Sequence, residues 1–154
     1  MLSLGWGLQH AALSSPQLLG RTAPHLAIQL SNGGHLDVSD YKGRPVVVNF
    51  WASWCGPCVQ EVPVLSDGQL RNPQVEFLGA AMQDSPGGVE AFEQSHHHSY
   101  PVGLITEGTY QSYGVIGPPV TVFIDQQGLV TATFSGPIDS TTLDHYLGLI
   151  TTRQ

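Results

Sequence analysis

An α/β domain with a central mixed β-sheet flanked by helices is predicted by three features of this sequence. Residues 45–52, PVVVNFWA, form a nearly continuous β-branched and aromatic run, as a strand buried on both faces requires. A second such run, VEFLGAAM at 75–82, follows with helical periodicity between the two. Beyond them VTVFID and LVTATFS read as a strand pair joined by QQG, ahead of a last amphipathic stretch. Strand–helix–strand units followed by a strand pair and a helix close into one sheet with helices packed on it.

The elements follow in order. After Pro24, HLAIQL and HLDV flank SNGG, a turn cluster, and predict an added N-terminal β-hairpin. SDYKGRP predicts one helical turn ending at Gly43. The stretch from Pro57 to about Leu70 predicts a helix with Val59, Val62, Leu65 and Leu70 as its apolar positions. Pro63 removes the bond to the Val59 carbonyl and kinks that helix. SPGGVEAFEQSHH opens another helix, with Ser85 as N-cap and Pro86 at the first position. TEGTYQSYGV predicts a short helix. DSTTLDHYLGLI closes the chain with Leu143, Tyr146, Leu147 and Ile150 on one stripe.

At 154 residues the chain is about one domain, long enough for a core that needs no disulfide staples. Its 41% hydrophobic content points to a packed domain rather than disorder. A net charge of −7, with only five basic residues, excludes a nucleic-acid-binding surface and a polybasic membrane patch. Residues 1–22 read as an N-terminal extension and 23–154 as the domain. The extension is mildly apolar, but Gly5, Gly7, Gln9 and His10 break it and it has no basic start. A degenerate signal, the stub of an anchor and an ordinary extension all fit it.

Both cysteines of the chain lie two residues apart in WASWCGPCVQEVP. Cys55 falls where a buried strand gives way to a helix, so its sulfur faces unpaired N–H groups and the positive end of the helix dipole, which favour thiolate. Pro57 suits the first helical turn. Cys58, one turn further in, can close a disulfide with Cys55 and is the more sheltered. A loop this short adds little stability as a static staple. A zinc ribbon needs a second ligand pair, and no further cysteine exists. The pair therefore reads as a redox couple whose direction the motif leaves open.

VVVNFWASWCGPCVQEVP resembles the thioredoxin superfamily, and within it the TlpA/ResA/CcmG-like thiol-disulfide oxidoreductases of extracytoplasmic compartments. The likeness runs from about Ala23 to the end. TAPHLAIQLSNGGHLDVSDYKG is similar to that group's added hairpin, and GPPVTVFIDQQG to its cis-proline segment. The resemblance implies the thioredoxin fold, with Cys55 as nucleophile, Cys58 as resolving cysteine and Pro119 as the cis-proline. It implies substrate contacts from Trp54, Gly56, Pro57, Pro118 and Pro119, and an extended edge where a substrate strand pairs. Trp51 is read as core, Trp54 as part of the docking surface.

Four positions depart from the family pattern or need weighing against it. Asn49 replaces a buried aspartate and cannot take a proton. Glu61 matches the glutamate of C-x-x-C-x-x-E-x-P, and Asp84 falls near an acidic position of ResA-like members. Either carboxylate is a candidate proton acceptor; the plainer reading of each is a solvated acid near a helix start. Pro118 removes one backbone donor from the substrate edge.

The expected activity is reduction of disulfides in extracytoplasmic proteins, for example in cytochrome c maturation. A membrane thiol donor restores the dithiol; no cofactor, no metal and a monomer are expected. The alternative is a copper carrier, with Cys55 and Cys58 joined by His96, His97 and His98 or by His10, His25, His35 or His145. The plainer reading puts His96, His97 and His98 at the solvated end of a helix. A peroxidase of the peroxiredoxin type needs a Pro-x-x-x-Thr-x-x-Cys site, which the chain lacks.

Overall fold

Seven strands form one mixed sheet in the order β2-β1-β5-β4-β3-β6-β7, in a computed structural model that describes residues 17–152. The predicted hairpin is β1 (Leu26–Leu30) and β2 (His35–Asp37), with Gly33 at φ +87° in its turn. A 3-10 turn at Val38–Tyr41 is capped by Asp37. β3 (Val46–Trp51) is buried at every position, because β4 (Glu76–Ala81) pairs parallel on one side and β6 (Val120–Ile124) antiparallel on the other. β7 (Val130–Ser135) completes the strand pair.

From β3 the chain advances to β4 and then to β5 (Val102–Gly108) in one direction across the sheet. Right-handed crossovers therefore lay both connecting helices, α1 (Gly56–Arg71) and α2 (Pro86–Ser95), on the same face. There Trp51 packs with Val62 and Phe92, and Val47 with Leu65. The closing helix α3 (Ser140–Thr151) buries Leu143, Leu147 and Ile150 on that face, with Tyr146 partly buried beside them. A Cβ at Gly68 of α1 would come 2.5 Å from the Leu143 side chain, so glycine is what lets α1 and α3 approach. Val46, Val48 and Phe50 point to the opposite face, against Leu26, Ile28 and Tyr113.

Ser85 caps α2 as expected, accepting a hydrogen bond from the Gly88 N–H. Two expectations are corrected. β5 was not foreseen, and TEGTYQSYGV is the end of that strand plus a 3-10 turn at Tyr110–Tyr113. Its glycines argue against a strand in isolation, yet the sheet requires them: a Cβ at Gly103 or at Gly108 would lie 2.0 Å from the backbone oxygen of Gln29 or of His25 in the β1 region. Leu70 is 69% exposed, because it lies off the buried stripe of α1. Most of the predicted 1–22 extension lies outside the described residues. Its last part already packs on the domain: the Gly20 N–H bonds the Val130 carbonyl, and Thr22 bridges Leu129.

Candidate active site

β3 ends at Trp51, and the chain turns through Ala52, Ser53 and Trp54 into α1, whose N-cap is Cys55. Cys55 and Cys58 are joined by a disulfide, with Cα atoms 5.4 Å apart. Pro57 occupies the first turn of α1, where its missing N–H has no helical partner to lose. The expected contrast between an open Cys55 and a sheltered Cys58 is slight here. They are 5% and 1% exposed, because both pack with Trp51, Val62, Ala81 and Phe92. The open surface over the disulfide is made instead by Gly56, Pro57 and the indole of Trp54, which is 58% exposed. Trp51 is fully buried, as its assignment to the core requires.

Glu61 lies one helical turn beyond Cys58 and is 1% exposed, so the solvated-acid reading is wrong for it. Its carboxylate is held from two sides. The Asn49 amide donates to Oε1 at 2.8 Å from β3, and the Ile138 N–H donates to Oε2 at 3.2 Å from the loop before α3. Asn49 also donates to the Thr121 hydroxyl of β6 at 3.3 Å. Burial pushes the Glu61 carboxyl up from 4.5 to about 7; its two hydrogen bonds pull the other way and only partly offset the loss of water. At neutral pH such a group is poised to take or give a proton. The pairing of Asn49 with Glu61 was not anticipated. Its sequence signal is the exchange itself, an amide where the buried strand acid is lost and a carboxylate one turn past the second cysteine.

Asp84 is placed differently. Its two oxygens accept from the Ser53 N–H at 2.5 Å, the Ser53 hydroxyl at 2.7 Å and the Ser85 N–H at 2.9 Å. The carboxylate thus ties the turn before Cys55 to the start of α2. A Cβ at Gly88 would sit 2.7 Å from both Asp84 Oδ1 and Ser53 Oγ, so glycine keeps room for this clamp. Next to it the Trp54 indole N–H donates to the Gln83 carbonyl at 2.9 Å. Gln83 has φ +48°, and its amide donates to the Tyr110 hydroxyl at 2.8 Å. Neither Ser53 nor Gln83 was singled out from sequence.

The Pro118–Pro119 bond is cis. Neither proline has an N–H, and the Pro119 carbonyl accepts from the Gly136 N–H at 2.9 Å. Backbone pairing at this edge is therefore left to the Pro118 carbonyl and to Gly117. Two residues earlier Ile116 is 88% exposed.

The histidine run is divided. His97 is exposed, whereas His98 is 3% exposed, lies tilted against Trp51 and stacks on Phe92, with ring centroids 4.9 and 5.7 Å away. Its Nδ1 is bonded to the Glu93 carboxylate. The solvated-helix reading fails for His98 because the chain turns inward after α2, and Ser99 bonds Ser66 and Gln69 of α1. Among the described residues, one grouping of three metal-type side chains occurs: His25, Asp37 and Glu107, on the β2–β1–β5 side of the sheet and without either cysteine. His10 lies outside the described residues. Among the described residues no helix is long and apolar enough to cross a membrane.

Comparison with known proteins agrees with this geometry. The family model described as Redoxin matches residues 18–150. The thiol-disulfide oxidoreductase ResA of Bacillus subtilis is 28% identical over 153 residues, covering 96% of this chain and 86% of that protein. A structure from Chlorobium tepidum described as a thiol:disulfide interchange protein DsbE superposes with TM-score 0.78 at 27% identity, covering 86% of this chain and 96% of that one. A secreted disulfide oxidoreductase of Mycobacterium tuberculosis, homologous to E. coli DsbE, gives TM-score 0.67 at 25% identity, covering 88% and 98%. With the Cys-Gly-Pro-Cys disulfide at the start of α1, these likenesses place the chain in the redoxin family of the thioredoxin superfamily, as a TlpA/ResA/CcmG-like thiol-disulfide oxidoreductase.

Proposed function

We propose that this oxidoreductase reduces disulfides of proteins outside the cytoplasm, for example in cytochrome c maturation, with Cys55 attacking, Cys58 resolving and Glu61 as proton acceptor. The observation that carries the reading is Glu61 itself, a buried carboxyl one turn beyond Cys58 and pushed up to about 7. The secreted relative supports the compartment. Partners are disulfide-containing proteins, and a membrane thiol donor returns the electrons.

In the working direction the Cys55 thiolate attacks one sulfur of the substrate disulfide. A bond from Cys55 to that sulfur forms, and the other substrate sulfur leaves as thiolate. Cys58 then gives its proton to the Glu61 carboxylate and attacks Cys55 Sγ, which breaks the mixed disulfide and releases the second substrate thiolate. Two electrons have passed to the substrate, and the Cys55–Cys58 disulfide is closed. Trp54, Gly56, Pro57, Pro118 and Pro119 form the docking surface. Asp84, which the sequence offered as a second acid, holds the Ser53–Trp54 turn in place. With the prolines lacking N–H groups, substrate docking relies on apolar contact with Trp54 more than on a β-ladder.

Cys58→Ser should trap substrates as mixed disulfides through Cys55, and Cys55→Ser should trap few. Equal trapping would sink the assignment of roles. A reduction potential near the thioredoxin value of about −270 mV supports the reducing direction, and one near about −120 mV would reverse it.

A further inference from the structure

Glu61 receives its second hydrogen bond from a segment that also holds the Pro118–Pro119 docking edge. β7 ends at Ser135, and Gly136, Pro137 and Ile138 lead from it to Asp139, the N-cap of α3. At one end the Gly136 N–H donates to the Pro119 carbonyl at 2.9 Å. At the other the Ile138 N–H donates to Glu61 Oε2 at 3.2 Å. That second end is anchored in the core. Ile138 is 3% exposed and packs in the cluster of Leu65, Phe123 and Leu143, and Asp139 accepts from the Thr142 N–H at 2.7 Å. Between them Pro137 is exposed and has a fixed φ, and Gly136 sits at φ +100°, where glycine is favoured.

We propose that Gly136 and Pro137 are positioning residues for the resolving step: the strap Gly136–Pro137–Ile138 holds the Ile138 N–H on Glu61 and ties the proton affinity of that acid to the placement of the Pro119 edge. This deepens the reading of Glu61 as proton acceptor and rests on it. The two donors to Glu61 differ in kind. The Asn49 side chain can re-aim its amide about its own torsions, whereas a backbone N–H moves only with the chain that carries it. A donor on a carboxylate favours the charged form. Ile138 therefore lowers the proton affinity of Glu61 by an amount set by where the strap lies, and the Gly136–Pro119 bond fixes where it lies. Moving the strap outward withdraws the donor and makes Glu61 harder to ionise.

The surroundings of Glu61 make its titration readable. Asn49 of β3 and Thr121 of β6 are uncharged, and Cys58 on its own helix is held in the disulfide. Tyr100, before β5, feels the charge of Glu61, but burial holds its hydroxyl well above the usual tyrosine range, so it stays neutral. Glu93 of α2 and His98 form their own pair beside Tyr100. Asp139 is exposed and turned to the start of α3. No neighbouring charge raises the Glu61 carboxyl, which burial lifts to about 7.

Gly136→Ala tests the strap at its pivot. A Cβ there meets nothing within 4 Å, so the substitution adds no clash and acts by straining a backbone at φ +100°. Pro137→Gly slackens the strap from an exposed position and is the second probe should the first fold poorly. In the oxidised protein, where the cysteines do not titrate, the Glu61 carboxyl carbon is followed by NMR. Its midpoint should rise by about one pH unit in either variant, as loss of one hydrogen bond to a charged group requires. The reduced protein is then mixed with dithiobis(nitrobenzoate), whose first released thiol reports attack by Cys55 and whose second reports resolution by Cys58. The pH profile of the second release should move up by the same interval, leaving the variants about fivefold slow near pH 7 and recovering at higher pH. In Pro137→Gly the first release should be unchanged. A wild-type Glu61 midpoint in both variants overturns the strap, and so does slowing that persists at high pH, as a general structural disturbance would give. Glu61→Gln in the same assay separates the strap from the reading it rests on. If it is slow while the strap variants titrate and resolve as wild type, the strap is wrong and Glu61 stands. If it resolves at the wild-type rate, the acid role falls and the strap's part in resolution with it.

Discussion

Replacing Glu61 by Gln in the oxidised protein, where the cysteines do not titrate, isolates the energetic consequence of burying this carboxyl. Its folded-state value of about 7 lies above the ordinary 4.5. The sign follows from linkage. A raised value means that the folded protein holds the proton more tightly than the unfolded chain. The favourable contribution is complete below pH 4.5 and is lost as pH rises through 7. At 1.36 kcal/mol per pH unit the gap amounts to about 3 kcal/mol, most of it lost between pH 5 and 7.5. Gln at this position has one acceptor for two donors, the Asn49 amide and the Ile138 N–H. One donor then stays unpaired, at about 1–3 kcal/mol, unless the Asn49 amide turns over to accept from the new NH₂. That cost is independent of pH. The informative quantity is therefore the change in the wild-type minus variant difference, read from urea unfolding at a series of pH values. Between pH 5 and 7.5 the variant should gain on wild type by about 2–3 kcal/mol, equivalent to a relative shift in Tm of about 4–12 °C for a domain of this size. Parallel pH profiles would mean that Glu61 ionises like a solvated carboxylate and would remove the basis for its proton-acceptor role.

Further outcomes follow from other contacts. Asp84→Ala removes three hydrogen bonds from the Ser53 turn and the start of α2 and should lower stability by about 2–3 kcal/mol. It should slow the first attack by Cys55 more than resolution by Cys58, and the reverse pattern in stopped flow would return Asp84 to the list of acids. Gly103→Ala pushes a methyl into the Gln29 carbonyl and should cost about 3 kcal/mol in chemical denaturation, or show that β1 can shift outward if it costs nothing. Changing His96 and His97 together to Ala should leave any copper or zinc binding measured by calorimetry as it was; loss of a stoichiometric metal would revive the carrier alternative.

What the sequence by itself determined is local or strongly patterned. The apolar run ending at Trp51 has to be a doubly covered strand, and Cys55-Gly56-Pro57-Cys58 has to open a helix, because hydrophobic periodicity and the conformational limits of proline act over a few residues. The Ser85 cap and the Leu143–Leu147–Ile150 stripe were legible for the same reason. Tertiary structure decided whatever depends on distant partners. β5 becomes a strand because the β1 backbone closes on Gly103 and Gly108, which local propensity counts against strand. Glu61 and Asp84 are both acids near the start of a helix; the spacing from Cys58 favours Glu61, but nothing in one dimension says which of them is shut away from water. Folding brings Asn49 and Ile138 onto Glu61 across 12 and 77 residues and shuts out water, while Ser53, 31 residues back, meets Asp84 at the rim. Desolvation is a property of the assembled core, so which carboxyl is held near 7 is decided only when the sheet and its helices have closed around it.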